Sequence, residues 1–478
     1  MSAIPTTTRT PRSAPPVTLL SALPFFNAVN RDFFNYIERS FSEYGDLFRI
    51  DMFGRPTFFV HHPDHLHELL VSRADDFQKN RDYTDPQRGL ARFFGNGLLT
   101  SNGDFWKKQR KLVAPALHTR RIAAYAGIMV DETADMLDRW GEGGQFDIAH
   151  EMTQATLQIV SRALFSLDAS DMSTDALRIG QIMSDIQEFV GATFTLESLL
   201  PTWIPTPRRQ QEGAAKRDLD EIVYRIINNW RRAGQDRGDL LSMLLLARDD
   251  DDQPMTDQQA RDEIVTMFLA GHETTANTLN WLWMLLAQHP EAEHKLHDEI
   301  DEVLAGAKPQ LEDLRRLPYT EQVVKEALRL FPPAFGFNRE AIRDTSIGGY
   351  AIPAGADIQV VTWTTHRDAR WWEDPLAFRP ERFAPENESA LKKYAYLPFG
   401  GGPRVCIGNS FALMEAQIMT ALIAGRFRLR LAPGQVVTPE PLLTLRPRGG
   451  LPMMVTPRVP AAQPEVAALV GAAGMPGA

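Results

Sequence analysis

From Asp262 to His289 the sequence reads "DEIVTMFLAGHETTANTLNWLWMLLAQH", and apolar residues fall on every side of the helix that this spacing predicts. A helix without a polar face cannot lie on a surface. It must run through the interior with other elements packed around it, which calls for a large and mainly helical body. With 478 residues, 44% hydrophobic and 23% charged, the chain has the material for one. The middle of the segment, "AGHETT", departs from the pattern. Gly271 weakens a helix, and Thr274 and Thr275 can bond back to carbonyls one turn earlier, so a local kink or widening is expected there. Glu273 sits at the midpoint of this buried helix and requires a partner, because a buried unpaired carboxylate is costly.

The segments "ETADMLDRW", "KRDLDEIVYRIINNWRRA" and "TEQVVKEALRLF" repeat apolar residues at three and four positions and predict further helices. "LFRIDMFGRPTFFVH" predicts two strands around a turn at Gly54, and "TSIGGYAIPAGADIQVVTW" predicts short strands between glycine and proline turns. The fold class is therefore mainly α with a minor β lobe. Residues 1–16 are polar and proline-rich and are expected to be a flexible leader or an extended arm. Residues 458–478 are expected to be a disordered tail, and 17–457 a single domain without internal repeats.

A net charge of −10 argues against a general nucleic-acid binder. No stretch approaches the ~18 uninterrupted apolar residues of a membrane span, and "VTLLSALPFFNAV" is broken by Ser21 and Pro24. No membrane anchor and a cytoplasmic location are expected. One cysteine, Cys406, excludes an intramolecular disulfide and a four-cysteine cluster within this chain.

Cys406 follows "LPFGGGPRV" and precedes an apolar run. A thiol just ahead of a helix starting near Ile407, with Arg404 beside it, is favoured as thiolate and suits a ligand or a nucleophile. Taken without context, a lone cysteine beside an apolar helix is more often an inert core residue. Other signatures fail on inspection. "HETTA" has Ala276 where a zinc-protease helix has its second histidine, and "HRDARWWE" has Glu373 where a kinase loop has asparagine. In "HHPDHLHE", Pro63 separates His61 from His65 and starts a helix, so this cluster is read as a solvated helix start rather than a metal site.

"FGGGPRVCIG", from Phe399 to Gly408, resembles the haem-binding loop of the cytochrome P450 family. "AGHETT" resembles the family's oxygen-binding helix, "EALR" from Glu326 to Arg329 its Glu-x-x-Arg helix, and "FRPERF" from Phe378 its third motif. "WKKQR" from Trp106 to Arg110 resembles its haem-edge helix. The resemblance runs from about Pro16 to about Pro457. It implies a P450 fold with haem b between the long central helix and the helix after the cysteine loop. It assigns Cys406 as the iron's thiolate ligand, Phe399 as its shield, and Gly400 and Gly408 as loop positions close to the macrocycle. Trp106, Arg110, Arg339 and Arg404 would neutralise the haem propionates. Glu326, Arg329 and Arg382 would form a buried structural triad. Glu273 and Thr274 would be an acid–alcohol pair that delivers protons for cleavage of the O–O bond.

The implied activity is a monooxygenase that inserts one atom of O2 into an apolar small-molecule substrate. Electrons would come from NAD(P)H indirectly, through a ferredoxin or flavodoxin and its reductase. Lys107, Lys108, Lys111, Lys392 and Lys393 would form the docking face for that partner. A monomer is expected. A peroxygenase, isomerase or dehydratase on the same scaffold, or a haem-binding sensor, is the alternative. The segments Arg81 to Thr100, Glu188 to Leu200 and Ala334 to Asn338 would wall the substrate pocket, with Phe93, Phe94, Phe189, Phe194, Phe335 and Phe337 contributing apolar surface.

Overall fold

A computed structural model describes residues 9–18, 21, 25–26, 29, 31–166, 169–191, 203–248 and 252–458. Eight helices position the site: α1 (Gly103–Val113), α2 (Thr119–Trp140), α3 (Ile148–Phe165), α4 (Ala169–Gly191), α5 (Pro207–Ala233), α6 (Asp257–Gln288), α7 (Pro318–Leu330) and α8 (Asn409–Arg426). Helix α6 is the all-round apolar segment, and α3, α5, α7 and α8 pack around it as that pattern requires. It begins with a capping box. Thr256 Oγ1 accepts the Gln259 N–H at 3.2 Å, and Gln259 Oε1 accepts the Thr256 N–H at 2.9 Å.

The expected departure at "AGHETT" does not interrupt or widen the helix: α6 is α-helical without a break from Asp257 to Gln288. The back-bonds form as anticipated, from Thr274 Oγ1 to Ala270 O at 2.8 Å and from Thr275 Oγ1 to Gly271 O at 3.3 Å. They ride on the regular ladder instead of replacing it. Gly271 answers to packing: a β-carbon there would stand 2.8 Å from Val160 Cγ2, so its absence lets α3 press against α6. Phe165 stacks on Phe268 across the same contact, with ring centroids 4.3 Å apart.

The β lobe is a six-stranded sheet in the order Arg12–Ser13, Leu47–Met52, Arg55–Val60, Asp357–Val360, Phe337–Ala341, Phe77–Gln78. The turn at Gly54 (φ +83°) joins its second and third strands, as the sequence predicts. The described part of the leader, from Arg9, lies on this sheet as an arm. Ala14 N–H bonds Arg49 O at 2.9 Å, Val17 N–H bonds Asp51 O at 2.8 Å, and Val17 is buried. Of the expected tail, Arg458 pairs with Asp301 and the remainder lies outside the described residues. A second small sheet matters below: the hairpin Pro439–Pro441/Leu445–Pro447 rests on α6, where Trp281 Nε1–H bonds Leu445 O at 2.9 Å.

Helix α7 carries a fully buried ion pair. Arg329 Nε and Nη2 reach the two oxygens of Glu326 at 2.7 and 2.8 Å, and both side chains are 0% exposed. The remaining guanidinium donors go to the carbonyls of His366, Pro375 and Ala377 at 2.8 to 3.1 Å. Arg382 Nε, at 3.3 Å, and the Arg379 N–H, at 2.9 Å, complete the shell of Glu326. His366, whose carbonyl accepts from Arg329, is pushed down to about 3 by burial and by Arg329 and Arg367. As a neutral ring it accepts the Leu397 N–H on Nε2 at 2.8 Å. Leu397 opens the loop that carries Cys406, so the ion pair fixes that loop through one histidine.

Candidate active site around Cys406

The loop from Phe399 to Gly408 closes on itself through Cys406 N–H to Phe399 O at 2.9 Å and Val405 N–H to Gly402 O at 3.1 Å. Gly400 (φ +70°) takes a turn that disfavours side chains. Gly402, a position the motif reading passed over, is required by space: a β-carbon would fall 1.7 Å from Leu70 O. At Gly408 the backbone is ordinary and the space above it is open. Its contribution is an N–H directed at the Cys406 sulfur, which lowers the thiol's pKa.

Helix α8 starts at Asn409, close to Ile407 as expected. One expectation about the thiol is corrected: Arg404 turns away, donating to Ser101 O at 3.1 Å and Asn102 Oδ1 at 2.9 Å. The cation that favours thiolate is Arg110. Burial outweighs it and the Gly408 N–H, so the pKa of Cys406 is raised. The residue is nonetheless exposed in area. Both facts hold where a thiol borders a hollow enclosed by protein.

The other three residues expected at the haem edge gather with Arg404. Arg404 lies over the ring of Trp106 at 4.1 Å, and Arg110 lies at 5.8 Å from the same ring. Burial lowers the pKa of Arg404 to about 10, with Arg339 and Arg110 adding to it, and lowers Arg339 and Arg110 as well. A fourth cation was not singled out from the sequence. Lys79 donates to Leu99 O, and Asn102 Oδ1 receives both the Lys79 N–H and Arg404 Nη2 at 2.9 Å. Burial, Arg339 and Arg404 drive its amine well below the ordinary lysine value. Among the described residues, no carboxylate forms an ion pair with any of these four side chains. Nothing in "DDFQKNRDY" distinguishes Lys79 from a surface lysine.

Helix α6 is buried along most of its length, but Ala270 is exposed and Gly271 and Thr274 are half-buried at its centre. Positions 270 and 274 are one turn apart, so one strip of α6 opens on a gap in the packing. Glu273 projects from a different side. Its Oε1 receives Asn277 Nδ2 at 2.7 Å and Thr444 Oγ1 at 3.1 Å, and its Oε2 lies 4.0 Å from His272 Nε2. Burial lowers the pKa of His272, which is therefore neutral near pH 7.

The first expected pocket wall is fastened to α6. Asp262 Oδ2 accepts the Asn96 N–H at 2.8 Å, and Glu263, pushed up to about 7 by burial, accepts the Leu98 N–H at 3.1 Å. Gly95 and Gly97 allow this approach, since β-carbons there would meet Asp262 at 2.1 and 2.7 Å. Across the seam, Arg92 pairs with Glu212 of α5 at 2.9 Å. Phe93 and Phe94 belong to the core, 1% and 0% exposed, while Phe189, Phe335 and Phe337 are half-buried. Phe194 lies outside the described residues. His61 is corrected too. It is buried, stacked on Phe41 at 3.9 Å, and its Nε2 lies 2.9 Å from Asp46 Oδ1. On the expected docking face, Lys107 pairs with Asp104 at 3.0 Å and Lys392 with Asp64 at 2.6 Å, both exposed enough to be weak.

A helical body with a sheet lobe, one accessible thiol beside Arg110, and further cations at Trp106 match what a haem-thiolate protein requires, and known proteins agree. The cytochrome P450 family model matches residues 11–452. The chain is 37% identical over 426 residues to cyclooctatin synthase of Streptomyces melanosporofaciens, covering 88% of this chain and 90% of that one. It is 37% identical to cyclooctat-9-en-7-ol 5-monooxygenase of the same organism, with the same coverages, and 32% identical to pentalenene oxygenase of Streptomyces avermitilis, covering 88% and 92%. The structure of retinoic acid-bound cyanobacterial CYP120A1 superposes with a TM-score of 0.82 at 25% identity, over 95% of this chain and all of the other. The chain belongs to the cytochrome P450 family and is a monooxygenase of bacterial type.

The family's cofactor is haem held by a cysteine thiolate, and the residues present fit it. The cations lack the two carboxylates that haem carries. The strip at Ala270 to Thr274 and the open space at Gly408 suit a flat macrocycle. When bound, haem supplies the redox chemistry of oxygen. As a bacterial-type P450 the protein acts on an apolar substrate and takes electrons from separate redox proteins. No helix among the described residues is long and apolar enough to cross a membrane.

Proposed function

We propose that the protein oxygenates an apolar terpenoid, with Cys406 as the iron's ligand and Thr274 and Glu273 as the groups that supply protons to the oxygen site. The observation that carries the assignment of the site is the set Lys79, Arg110, Arg339 and Arg404: Arg404 and Arg110 lie over Trp106, Lys79 and Arg339 face Arg404, and among the described residues no carboxylate pairs with any of them. Trp106 and the four cations hold the propionates, Phe399 shields the sulfur, and the N–H of Gly408 withdraws density from it. Gly400 and Gly402 give the loop its turn. Thr274 Oγ1 is the hydroxyl nearest the open strip of α6 and passes a proton inward, while Glu273 collects protons from the polar side.

The substrate class rests on the relatives that oxygenate pentalenene and cyclooctat-9-en-7-ol. The half-buried rings of Phe189, Phe335 and Phe337, on two of the expected pocket walls, offer apolar surface that suits such molecules. We further assign an acidic ferredoxin or flavodoxin as the electron donor, docking at Lys107, Lys108, Lys111, Lys392 and Lys393, and a cytoplasmic monomer as the working form. The test is a spectral titration of the haem-loaded protein with cyclic terpene hydrocarbons and alcohols, followed by turnover with NADPH, ferredoxin and reductase. Displacement of the iron's water and a product heavier by one oxygen are expected. Saturable binding by fatty acids alone would overturn the substrate class.

A further inference from the structure

The stretch Gly95–Asn102 leads from the first expected pocket wall into α1, and acidic side chains hold its backbone at one end and basic ones at the other. At the near end its N–H groups go to carboxylates of α6: Asn96 N–H to Asp262 Oδ2 at 2.8 Å and Leu98 N–H to Glu263 Oε2 at 3.1 Å. At the far end its oxygens go to cations of the haem edge. Leu99 O accepts from Lys79 Nζ, Ser101 O from Arg404 Nη1 at 3.1 Å, and Asn102 Oδ1 from Arg404 Nη2 at 2.9 Å.

Between these ends the stretch is stiffened by bonds to itself. The N–H groups of Thr100 and Ser101 both reach Gly97 O at 3.0 Å, and Thr100 Oγ1 reaches Gly95 O at 2.7 Å. Thr100 and Ser101 are fully packed, so a shift at the α6 end is carried to the atoms that Lys79 and Arg404 hold. Gly97 shows how closely the stretch is seated: a β-carbon there would stand 2.6 Å from Thr266 Oγ1 and 2.7 Å from Asp262 O.

The two carboxylates are not equivalent. Asp262 is fixed without the loop, since its Oδ1 receives Gln258 Nε2 at 2.8 Å and Arg261 Nη1 at 3.1 Å, and Arg261 Nε reaches Asp220 of α5 at 2.7 Å. Glu263 is 1% exposed, and its Oε1 has no hydrogen-bond partner among the described residues. Among those residues the Leu98 N–H is its one donor. Burying a carboxylate for a single hydrogen bond is costly for folding, which calls for a role that this bond itself supplies.

We infer that Glu263, braced by Asp262, is a positioning residue: by holding the Leu98 N–H it sets where the stretch Gly95–Asn102 lies, and through that stretch it places both the half-buried Leu99 on the pocket wall and the haem-edge cations Lys79 and Arg404. This rests on the haem-edge role given to those cations above and on the wall expected from the sequence. It adds that one carboxylate of the central helix governs substrate registration and haem retention together.

The experiment uses haem-loaded wild type, Glu263→Met, Glu263→Gln and Gly97→Ala, with Arg404→Ala as the control for the cations. Methionine removes the acceptor at similar volume, glutamine keeps it, and the alanine pushes the stretch off α6 without touching Glu263. The readouts are deuterium uptake at the Leu98 amide, haem transfer to an acceptor protein, and the ratio of products from pentalenene with NADPH, ferredoxin and reductase. Glu263→Met should speed exchange at Leu98 about tenfold. It should speed haem loss about threefold and change the product ratio. Glu263→Gln should restore all three, and Gly97→Ala should follow the methionine variant. A carboxylate with a merely structural role would lower the melting temperature and leave haem loss and product ratio alone.

If exchange speeds up in Glu263→Met while haem loss and product ratio match wild type, the stretch transmits nothing and the inference is wrong. Wild-type exchange in Glu263→Met overturns it as well, because the bond then does not hold the stretch. Should Glu263→Met not accumulate, Gly97→Ala decides: wild-type haem loss and product ratio there refute the inference. If Arg404→Ala leaves haem loss unchanged, the reading of the cations fails, and the product ratio decides for Glu263. If the wild type makes no product from pentalenene, the terpenoid reading fails, and haem loss decides.

Discussion

Arg329 and Arg404 lie in the same molecule and teach opposite lessons about buried cations. Arg329 spends its donors inside the chain, on Glu326 and three carbonyls, and its shell is closed before any ligand arrives. Arg404 has a ring beneath it, two neutral oxygen acceptors and three cations for company. The first arrangement is what folding alone produces when a charge must be buried. The second is tolerable only if something outside the chain brings negative charge. The difference separates a structural ion pair from a binding site without reference to any relative.

The largest effect should come from opening the closed shell. Glu326→Ala leaves Arg329 buried and unpaired and should cost about 3–5 kcal/mol, with little soluble haem-loaded protein recovered. Normal expression and haem content would erase the distinction between the two regions. Arg404→Ala should behave in the reverse sense. The haem-free protein should melt no lower than wild type, since a repelled cation is removed, while haem should dissociate about 10- to 100-fold faster, the worth of a charge-assisted hydrogen bond. Haem transfer to an acceptor protein measures it.

A third outcome concerns pH. In the unfolded chain Lys79 keeps its proton up to the ordinary value of 10.5, whereas in the folded, haem-free protein it loses it at lower pH. The unfolded chain then binds more protons over that interval, so the stability of the haem-free protein should rise as pH rises through it. Haem carboxylates raise the amine's pKa again and should flatten the rise, and Lys79→Met should flatten it without haem. Denaturant melts at several pH values, with and without haem, show which holds. Smallest is the surface. Charge reversal at Lys392 and Lys107 should slow reduction by an acidic ferredoxin a few-fold at low salt, and the difference should vanish at high salt.

Where a residue's role is set by chain neighbours, the sequence reveals it. The apolar girth of α6, the spacing of Glu326 and Arg329, and the glycines before Cys406 all announce themselves through local pattern. What was illegible depends on contacts far along the chain. Gly271 looks like a weak point of the helix from sequence alone, because Val160, the residue that needs its missing side chain, is more than a hundred positions away. Lys79 carries no periodicity, and its importance comes from Arg339 and Arg404. Sequence proximity, two residues from Cys406, points to Arg404 as the cation that stabilises the thiolate. Its side chain goes instead to Ser101 and Asn102, and Arg110, from another helix, takes that place.

Cys406 and the four cations are proposed to hold a haem whose iron bonds that sulfur. Haem added to the haem-free protein, then reduced and exposed to carbon monoxide, tests it in one spectrum. The red-shifted band of thiolate-bound haem should appear in wild type and be lost in Cys406→Ser. An unshifted band in the wild type, or a shifted band that survives Cys406→Ser, would contradict it.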